Sequence, residues 1–272
     1  MEIRQYTDND REIWNSFVAH SKNGLFMFDR NYMEYHKDRF EDNSLMFFDE
    51  KNELVSLLPD TKKEGILISH GGLTFGGFIT DDSMKQHHMN DLFDTLKDYM
   101  KQNGFSKIIY KSIPHIYHKQ PAEEDLYSLF CNNAQIEKIE AATVINLKNK
   151  LKMPKGRKAQ VTRARREGVV FEESTDFDAF IALENEVLNE HHNATAVHTG
   201  AELALLHERF PEQIKLYVGR YKDEIIAGCV LFIYDNLVHT QYLAANDLAR
   251  EIGALDFVVY NLIEIYLPTK TW

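Results

Sequence analysis

The sequence predicts an α/β (α+β) fold in which two mixed-sheet domains follow one another. Three observations predict it. Strand-like apolar stretches interchange with helical apolar stripes along the whole chain. Their order then repeats. Tyr6-Thr7-Asp8 is answered 168 positions later by Ser174-Thr175-Asp176, and Lys51-Asn52-Glu53-Leu54-Val55 is answered 171 positions later by Lys222-Asp223-Glu224-Ile225-Ile226. Between the copies the charge changes abruptly. Residues 148–167 hold nine Lys or Arg and one acid, Glu167, in a chain of net charge −11. The reading is therefore a first domain over 1–147, a basic linking helix over 148–168 and a second domain over 169–272.

In the first copy, Glu2–Tyr6 reads as a strand, and Thr7-Asp8 caps a helix to about His20 with Ile13, Trp14, Phe17 and Val18 at helical spacing. Asn31–Phe40 reads as a second helix. Leu45–Phe48 and Leu54–Leu58 read as strands around the turn 49–53. Ile66–Ile79 is strand-like but carries four glycines, which points to a bulge or a close backbone approach. A helix over 83–102 presents Met89, Leu92, Phe93, Leu96 and Tyr99, and Asn103-Gly104 stops it. A strand at 106–111, a helix at 123–131 and a strand at 141–147 complete the copy.

In the second copy a strand at 169–173 leads to a helix capped by Thr175, with Phe177, Phe180, Ile181, Val187 and Leu188 along it. Thr199-Gly200-Ala201-Glu202 is a capping box for the next helix. Strands 214–221, 225–234 and 237–245 follow, then the short loop Arg250–Ala254 and an apolar helix that Pro268 ends. A strand that feeds a helix through a Gly-containing loop gathers free N–H groups and the positive helix end, a setting for phosphate. On the repeat length the second copy would run some 46 positions past Trp272, to about 318. The second domain is therefore expected to lack its C-terminal strands, either as a shortened product or with strands supplied from elsewhere, which leaves a homo-oligomer open.

Bulk properties narrow the function classes. The chain is 44% hydrophobic and 27% charged, as in a globular protein with a substantial core. It has no apolar run of membrane-spanning length and no basic-then-apolar leader, so a cytoplasmic location is expected. Cys131 and Cys229 lie far apart in apolar segments and read as buried thiols. The acidic balance argues against wholesale nucleic-acid or anionic-membrane binding.

The element order resembles the GNAT (Gcn5-related N-acetyltransferase) fold in both halves. Lys155-Gly156-Arg157-Lys158-Ala159-Gln160-Val161-Thr162-Arg163-Ala164-Arg165-Arg166-Glu167-Gly168 resembles the start of the second half of FemAB-like tandem GNAT proteins. So do Asn189-Glu190-His191-His192, His239-Thr240-Gln241-Tyr242-Leu243-Ala244-Ala245 and Arg250-Glu251-Ile252-Gly253-Ala254-Leu255. The resemblance implies transfer of an acyl or aminoacyl group to an amine. It implies a co-substrate, acetyl-CoA or another acyl-CoA, whose pantetheine lies against Leu243, Ala244 and Ala245 and whose pyrophosphate lies at Arg250, Gly253 and Ala254. Leu255 stands where the family pattern has a small residue. The first half has an acidic stretch, Phe78–Asp82, at the matching place and is read as a degenerate copy that shapes the substrate cleft.

Amine acylation needs a base for the ammonium and a donor for the developing oxyanion. His239 and Tyr242 are the catalytic candidates; a structural histidine and a core tyrosine are the alternatives. Strict alternation puts His239 and Gln241 on one face of their strand, Thr240 and Tyr242 on the other. Glu190, His192, His198 and Gln241 are the substrate-side candidates. No carboxylate or cysteine spacing supports a metal among the histidines. The basic stretch 148–167 is either a solvated linking helix or a contact for an anionic acceptor or tRNA; it lacks the aromatics that single-stranded nucleic acid stacks on. The expected reaction is acyl transfer from acyl-CoA to a small-molecule amine. An aminoacyl-tRNA-dependent transferase acting on a cell-wall precursor, and a catalytically inert binding protein, are the alternatives.

Overall fold

The computed structural model describes residues Met1–Trp272, apart from the side chain of His192. The chain divides into two compact units, Met1–Ala142 and Thr143–Trp272.

In the first unit, strands β1 (Glu2–Gln5), β2 (Leu45–Phe48) and β3 (Leu54–Leu58) join β6 (Ile79–Thr80) in an antiparallel sheet of order β1-β2-β3-β6. A second sheet holds β4 (Thr61–Lys63), β5 (Ile66–Ile68) and β7 (Lys107–Ile109), with β5 and β7 parallel. Helices α1 (Arg11–His20), α2 (Arg30–Met33), α3 (Gln86–Gln102) and α4 (Glu124–Cys131) complete the unit. The predicted stripe of α3 packs Met89, Leu92, Phe93 and Leu96 against Leu45, Phe47 and Phe78 in one core.

Several boundaries move for local reasons. The helix expected over 31–40 is only α2 followed by a 3-10 turn at Glu34–His36. The glycine-rich run is not one strand, because it leaves the sheet after Ile68 and returns at Ile79. Gly76 lies so close to the chain that a Cβ there would sit 1.7 Å from the Ser69 carbonyl oxygen, the close approach that glycine density announced. No strand forms over 141–147, where a 3-10 turn at Leu147–Asn149 interrupts extended chain. Cys131 is exposed at the end of α4, whereas Cys229 is buried.

The second unit is built on one antiparallel sheet of β8 (Val170–Ser174), β9 (Ile214–Tyr221), β10 (Glu224–Ile233) and β11 (Val238–Ala245), in that spatial order. The turn between β9 and β10 puts Lys222 and Asp223 at φ 48° and 69°, the left-handed pair a tight hairpin needs. One face of the sheet carries α6 (Phe177–His192), with α7 (Gly200–Arg209) packed beside it. A Cβ on Gly228 would stand 2.9 Å from the Phe180 ring, so glycine lets α6 press onto β10. The other face carries α5 (Lys155–Glu167) and α9 (Ala254–Tyr266), whose Val161, Ala164, Val258 and Leu262 share a core with Ala227, Cys229 and Leu231. Burial also holds the Cys229 thiol far above its usual range, so it stays a neutral core group.

The capping box at Thr199 forms as read. Its hydroxyl accepts from the Glu202 N–H at 3.1 Å, and the Glu202 carboxylate accepts from the Thr199 N–H at 2.8 Å. Thr199→Ala is expected to lower the unfolding free energy by about 1 kcal/mol in urea titration, without a change in m-value. Asn185 Oδ1 accepts from the Ala196 N–H at 2.7 Å and ties the segment before α7 down onto α6. Among the described residues no helix is long and apolar enough to cross a membrane.

Candidate active site

The site begins with a defect in the ladder. Strand β10 pairs Val230 with Tyr242 and then Leu231 with Thr240, so Gln241 is one residue too many on β11. Such a bulge shifts the alternation of side chains by one place. It overturns the expectation that His239 and Tyr242 point to opposite faces. Tyr242 stands opposite Val230 and His239 opposite Phe232, residues on the same face as Gly228. Both catalytic candidates therefore share the α6 face.

Tyr242 is held from the other side of that layer. Its hydroxyl oxygen accepts from the His198 backbone N–H at 3.2 Å and lies 2.7 Å from His198 Nδ1. The phenol can donate its proton to Nδ1 or accept a second hydrogen bond from it, so the pair is joined in either histidine tautomer. The two rings meet edge to face at 5.7 Å. Burial pushes the phenol above its usual range, and the charge of Glu184 adds to the rise. Tyr242→Phe leaves the His198 N–H and ring nitrogen without this partner. A loss of about 2 kcal/mol in stability is expected, read from urea unfolding.

Glu184 is the residue that sequence reasoning missed. It occupies the α6 stripe itself, four residues after Phe180 and three after Ile181. The side chain is buried, at 7% exposure, and Oε2 has no hydrogen-bond partner. Burial raises its carboxyl above the ordinary range. A carboxylate in a stripe of Phe, Ile and Leu was the available signal. On the same face, burial lowers the His239 imidazole, which keeps it neutral near pH 7.

The remaining candidates lie elsewhere in the unit. Glu190 is exposed on the last turn of α6, and the side chain of His192 lies outside the described residues. Gln241 is the bulge residue. Leu243 is exposed opposite Cys229, while Ala244 and Ala245 are buried opposite Gly228 and Ala227. The expected loop at 250–254 is mostly helical: α8 (Asp247–Ile252) is capped by Asn246, whose Oδ1 accepts from the Ala249 N–H at 2.9 Å. Gly253 follows at φ 80° and opens α9. Arg250 Nη1 donates to His191 Nε2 at 2.9 Å and to Asp247 Oδ1 at 3.1 Å. Among the described residues no three His, Cys, Asp or Glu group as metal ligands.

Comparison with known proteins bears on this geometry. Residues 154–267 match the acetyltransferase (GNAT) domain family. That match spans α5 to α9 and contains every residue of the site. The second unit is a GNAT domain. The whole chain is FemAB-like in fold. It superposes on the crystal structure of FemX with a TM-score of 0.65 at 11% identity, covering 100% of this chain and 87% of that one. It superposes on L-PGS from Bacillus licheniformis with a TM-score of 0.61 at 13% identity, over 95% of this chain and 72% of the other. The C-terminal domain of a putative lysylphosphatidylglycerol synthetase from Agrobacterium fabrum gives 0.59 at 13% identity, over 96% and 75%. No curated protein is similar by sequence. The chain is thus a transferase of the acyltransferase class.

Within the GNAT domain, the glycine where a CoA pyrophosphate is expected is not open. Ile252, Gly253 and Ala254 are buried, and a Cβ on Gly253 would stand 2.6 Å from the Gln160 carbonyl oxygen and 2.8 Å from its Oε1. Helix α5 therefore covers the start of α9 at this point. The residues present do not fit a pyrophosphate seated on the Gly253 backbone. Arg250, the cation expected at the pyrophosphate, is exposed and held by Asp247 and His191.

Proposed function

We propose that the GNAT domain transfers an acyl group from an activated donor to an amine acceptor held at Glu184, His198, His239 and Tyr242. The observation that carries this reading is the buried, unpartnered Glu184 oxygen in the layer that holds Tyr242 and His198. Glu184 accepts a proton from the acceptor's ammonium, whose positive charge also supplies the missing partner of the carboxylate. The freed amine attacks the acyl carbon, an amide bond forms, and the bond to the donor's sulfur or oxygen breaks as the amine's second proton passes to that departing atom. A carboxyl shifted upward by burial is better matched to this task near neutrality than an ordinary one. His198 and Tyr242 orient the acceptor rather than take the proton, since each is already committed to the other. The bulge at Gln241 interrupts the ladder beside Tyr242, where a backbone N–H released from pairing would donate to the developing oxyanion.

Acetyl-CoA or another acyl-CoA is the first donor class to test, because acetyltransferase chemistry is the named activity of the matched family. An aminoacyl ester donor is the second reading, favoured by the Gln160 cover over Gly253. Calorimetry of the full chain with acetyl-CoA separates them. Heat of binding that Arg250→Ala removes supports the CoA donor. No heat at submillimolar concentration, with amide formation from an aminoacyl-tRNA, selects the second reading.

A further inference from the structure

The segment that opens the second unit holds the least balanced charge in the molecule. No acid occurs between Glu140 and Glu167, while Lys148, Lys150, Lys152, Lys155, Arg157 and Lys158 fall within eleven residues. Of the nine cations in 148–167, Arg165 lies over the Phe257 ring and Arg166 pairs with Glu167, and the rest fall into two sets. Arg157 pairs with Asp256 at 3.0 Å, Arg163 with Glu251 at 3.3 Å and Lys150 with Glu264 at 3.0 Å, so these three serve the packing of α5 and its approach onto α8 and α9. Lys148, Lys152, Lys155 and Lys158 are exposed, and among the described residues none of them has an ion-pair partner.

Their placement costs the fold something. The first turn of α5 holds Lys155, Arg157 and Lys158 and no acid, at the helix end where positive charge is disfavoured. A residue choice that opposes the local helix, with no partner to offset it, marks a surface selected for something outside the chain. On α5 the buried positions Val161 and Ala164 face the core, Lys155 lies on the opposite side of the helix and Lys158 on its flank, both exposed.

Apolar groups are set among the lysines. Leu151 is 93% exposed between Lys150 and Lys152, and Val144 and Ile145 just before them are about half exposed, at 45% and 43%. Leucine gains nothing from phosphate or from water. It gains from the acyl boundary of a bilayer, where flanking lysines meet anionic headgroups. Nucleic acid would favour aromatic side chains for stacking, and residues 143–167 contain none.

We propose that residues 144–158 form a docking patch for an anionic phospholipid surface, with Leu151 entering the headgroup–acyl boundary and Lys148, Lys152, Lys155 and Lys158 against the headgroups. Binding is peripheral and reversible, because one leucine and four lysines supply far less than a spanning helix. The patch stands on exposure and charge alone and does not depend on the transfer reaction.

The test is flotation of the full chain with vesicles of equimolar phosphatidylglycerol and phosphatidylcholine, and with vesicles of pure phosphatidylcholine. The expected result is flotation with the anionic vesicles only, weakening as salt rises. Lys152→Glu with Lys155→Glu should reduce partition by tenfold or more, on the order of a factor of five per lysine. Leu151→Asp should reduce it several-fold at constant positive charge on the lysines. All three positions are exposed, so circular dichroism should show unchanged folding. Flotation equal on both vesicle types, or unaffected by Leu151→Asp, overturns the proposal. So does preferential binding to transfer RNA, with vesicle partition abolished by RNA competition yet insensitive to Leu151→Asp. That outcome would reassign the lysines to nucleic acid.

Discussion

Glu184→Gln should cut amide formation by about 10²–10⁴-fold, the range that a positioned general base supplies, and should not destabilise the protein. The two halves of this expectation have one cause. Burial holds the Glu184 carboxyl above its ordinary range, so the folded state favours the protonated form. A carboxyl of this kind contributes stability at pH below its unfolded value and loses that contribution as pH rises through its raised folded value. The native chain should therefore lose stability with rising pH across that window. The glutamine variant, neutral throughout and of the same shape, should show a flatter profile and an equal or higher melting temperature near neutrality. A core role alone predicts the stability change without the loss of turnover. The combination of higher stability and lost activity is what a site residue held at a cost to the fold produces.

Gly253→Ala should destabilise the second unit by about 3 kcal/mol, and this estimate joins two effects. Alanine at φ 80° occupies a left-handed backbone that costs on the order of 1 kcal/mol or more. Its Cβ would also stand 2.6 Å from the backbone carbonyl oxygen of Gln160, and a backbone atom cannot rotate away. The loss should appear in the urea midpoint, with or without acetyl-CoA. If this glycine served mainly as an open phosphate cradle, the loss would be limited to the roughly 1 kcal/mol of the left-handed backbone, and nucleotide binding would weaken. Gln160→Ala offers the complementary reading. It removes the Oε1 cover at the start of α9 while the backbone contact stays, and relieves a buried amide oxygen without a hydrogen-bond partner.

Much of the architecture was legible because it rests on local pattern. The periodicity of Met89, Leu92, Phe93 and Leu96 on α3, and the capping box at Thr199, are sequence-local and appear in the structure as read. The hairpin at Lys222-Asp223 is local in the same sense. The elements that moved depend on contacts distant in sequence. The glycine-rich run 66–79 leaves its sheet because Gly76 meets Ser69 and Gly77 lies against Tyr110, and neither contact leaves a periodic trace. The loop expected at 250–254 is mostly helix because Asn246 caps it, a signal present in the sequence but overshadowed by the glycine.

The site was harder to read for a single reason. Alternation along a strand is a sound rule until one residue is inserted, and the Gln241 bulge inserts one. His239 and Tyr242 were singled out from the sequence yet assigned to opposite faces. The bulge brings them to one face, and only the pairing register shows it. Glu184 leaves a fainter signal than the histidines at the end of α6, because a single acid within an apolar stripe shows its meaning only once the stripe is seen to be buried.

We propose that this GNAT domain makes its amide bond at the Glu184–His198–Tyr242 layer. Mass spectrometry of the full chain incubated with a panel of primary amines tests it most directly, with acetyl-CoA and aminoacyl-tRNA supplied in turn as donor. The account predicts an acylated amine from at least one donor, formed by the native chain and reduced by about 10²-fold or more in Glu184→Gln. Equal product from the native chain and the Glu184→Gln variant, or no acylated amine from either donor, would contradict it.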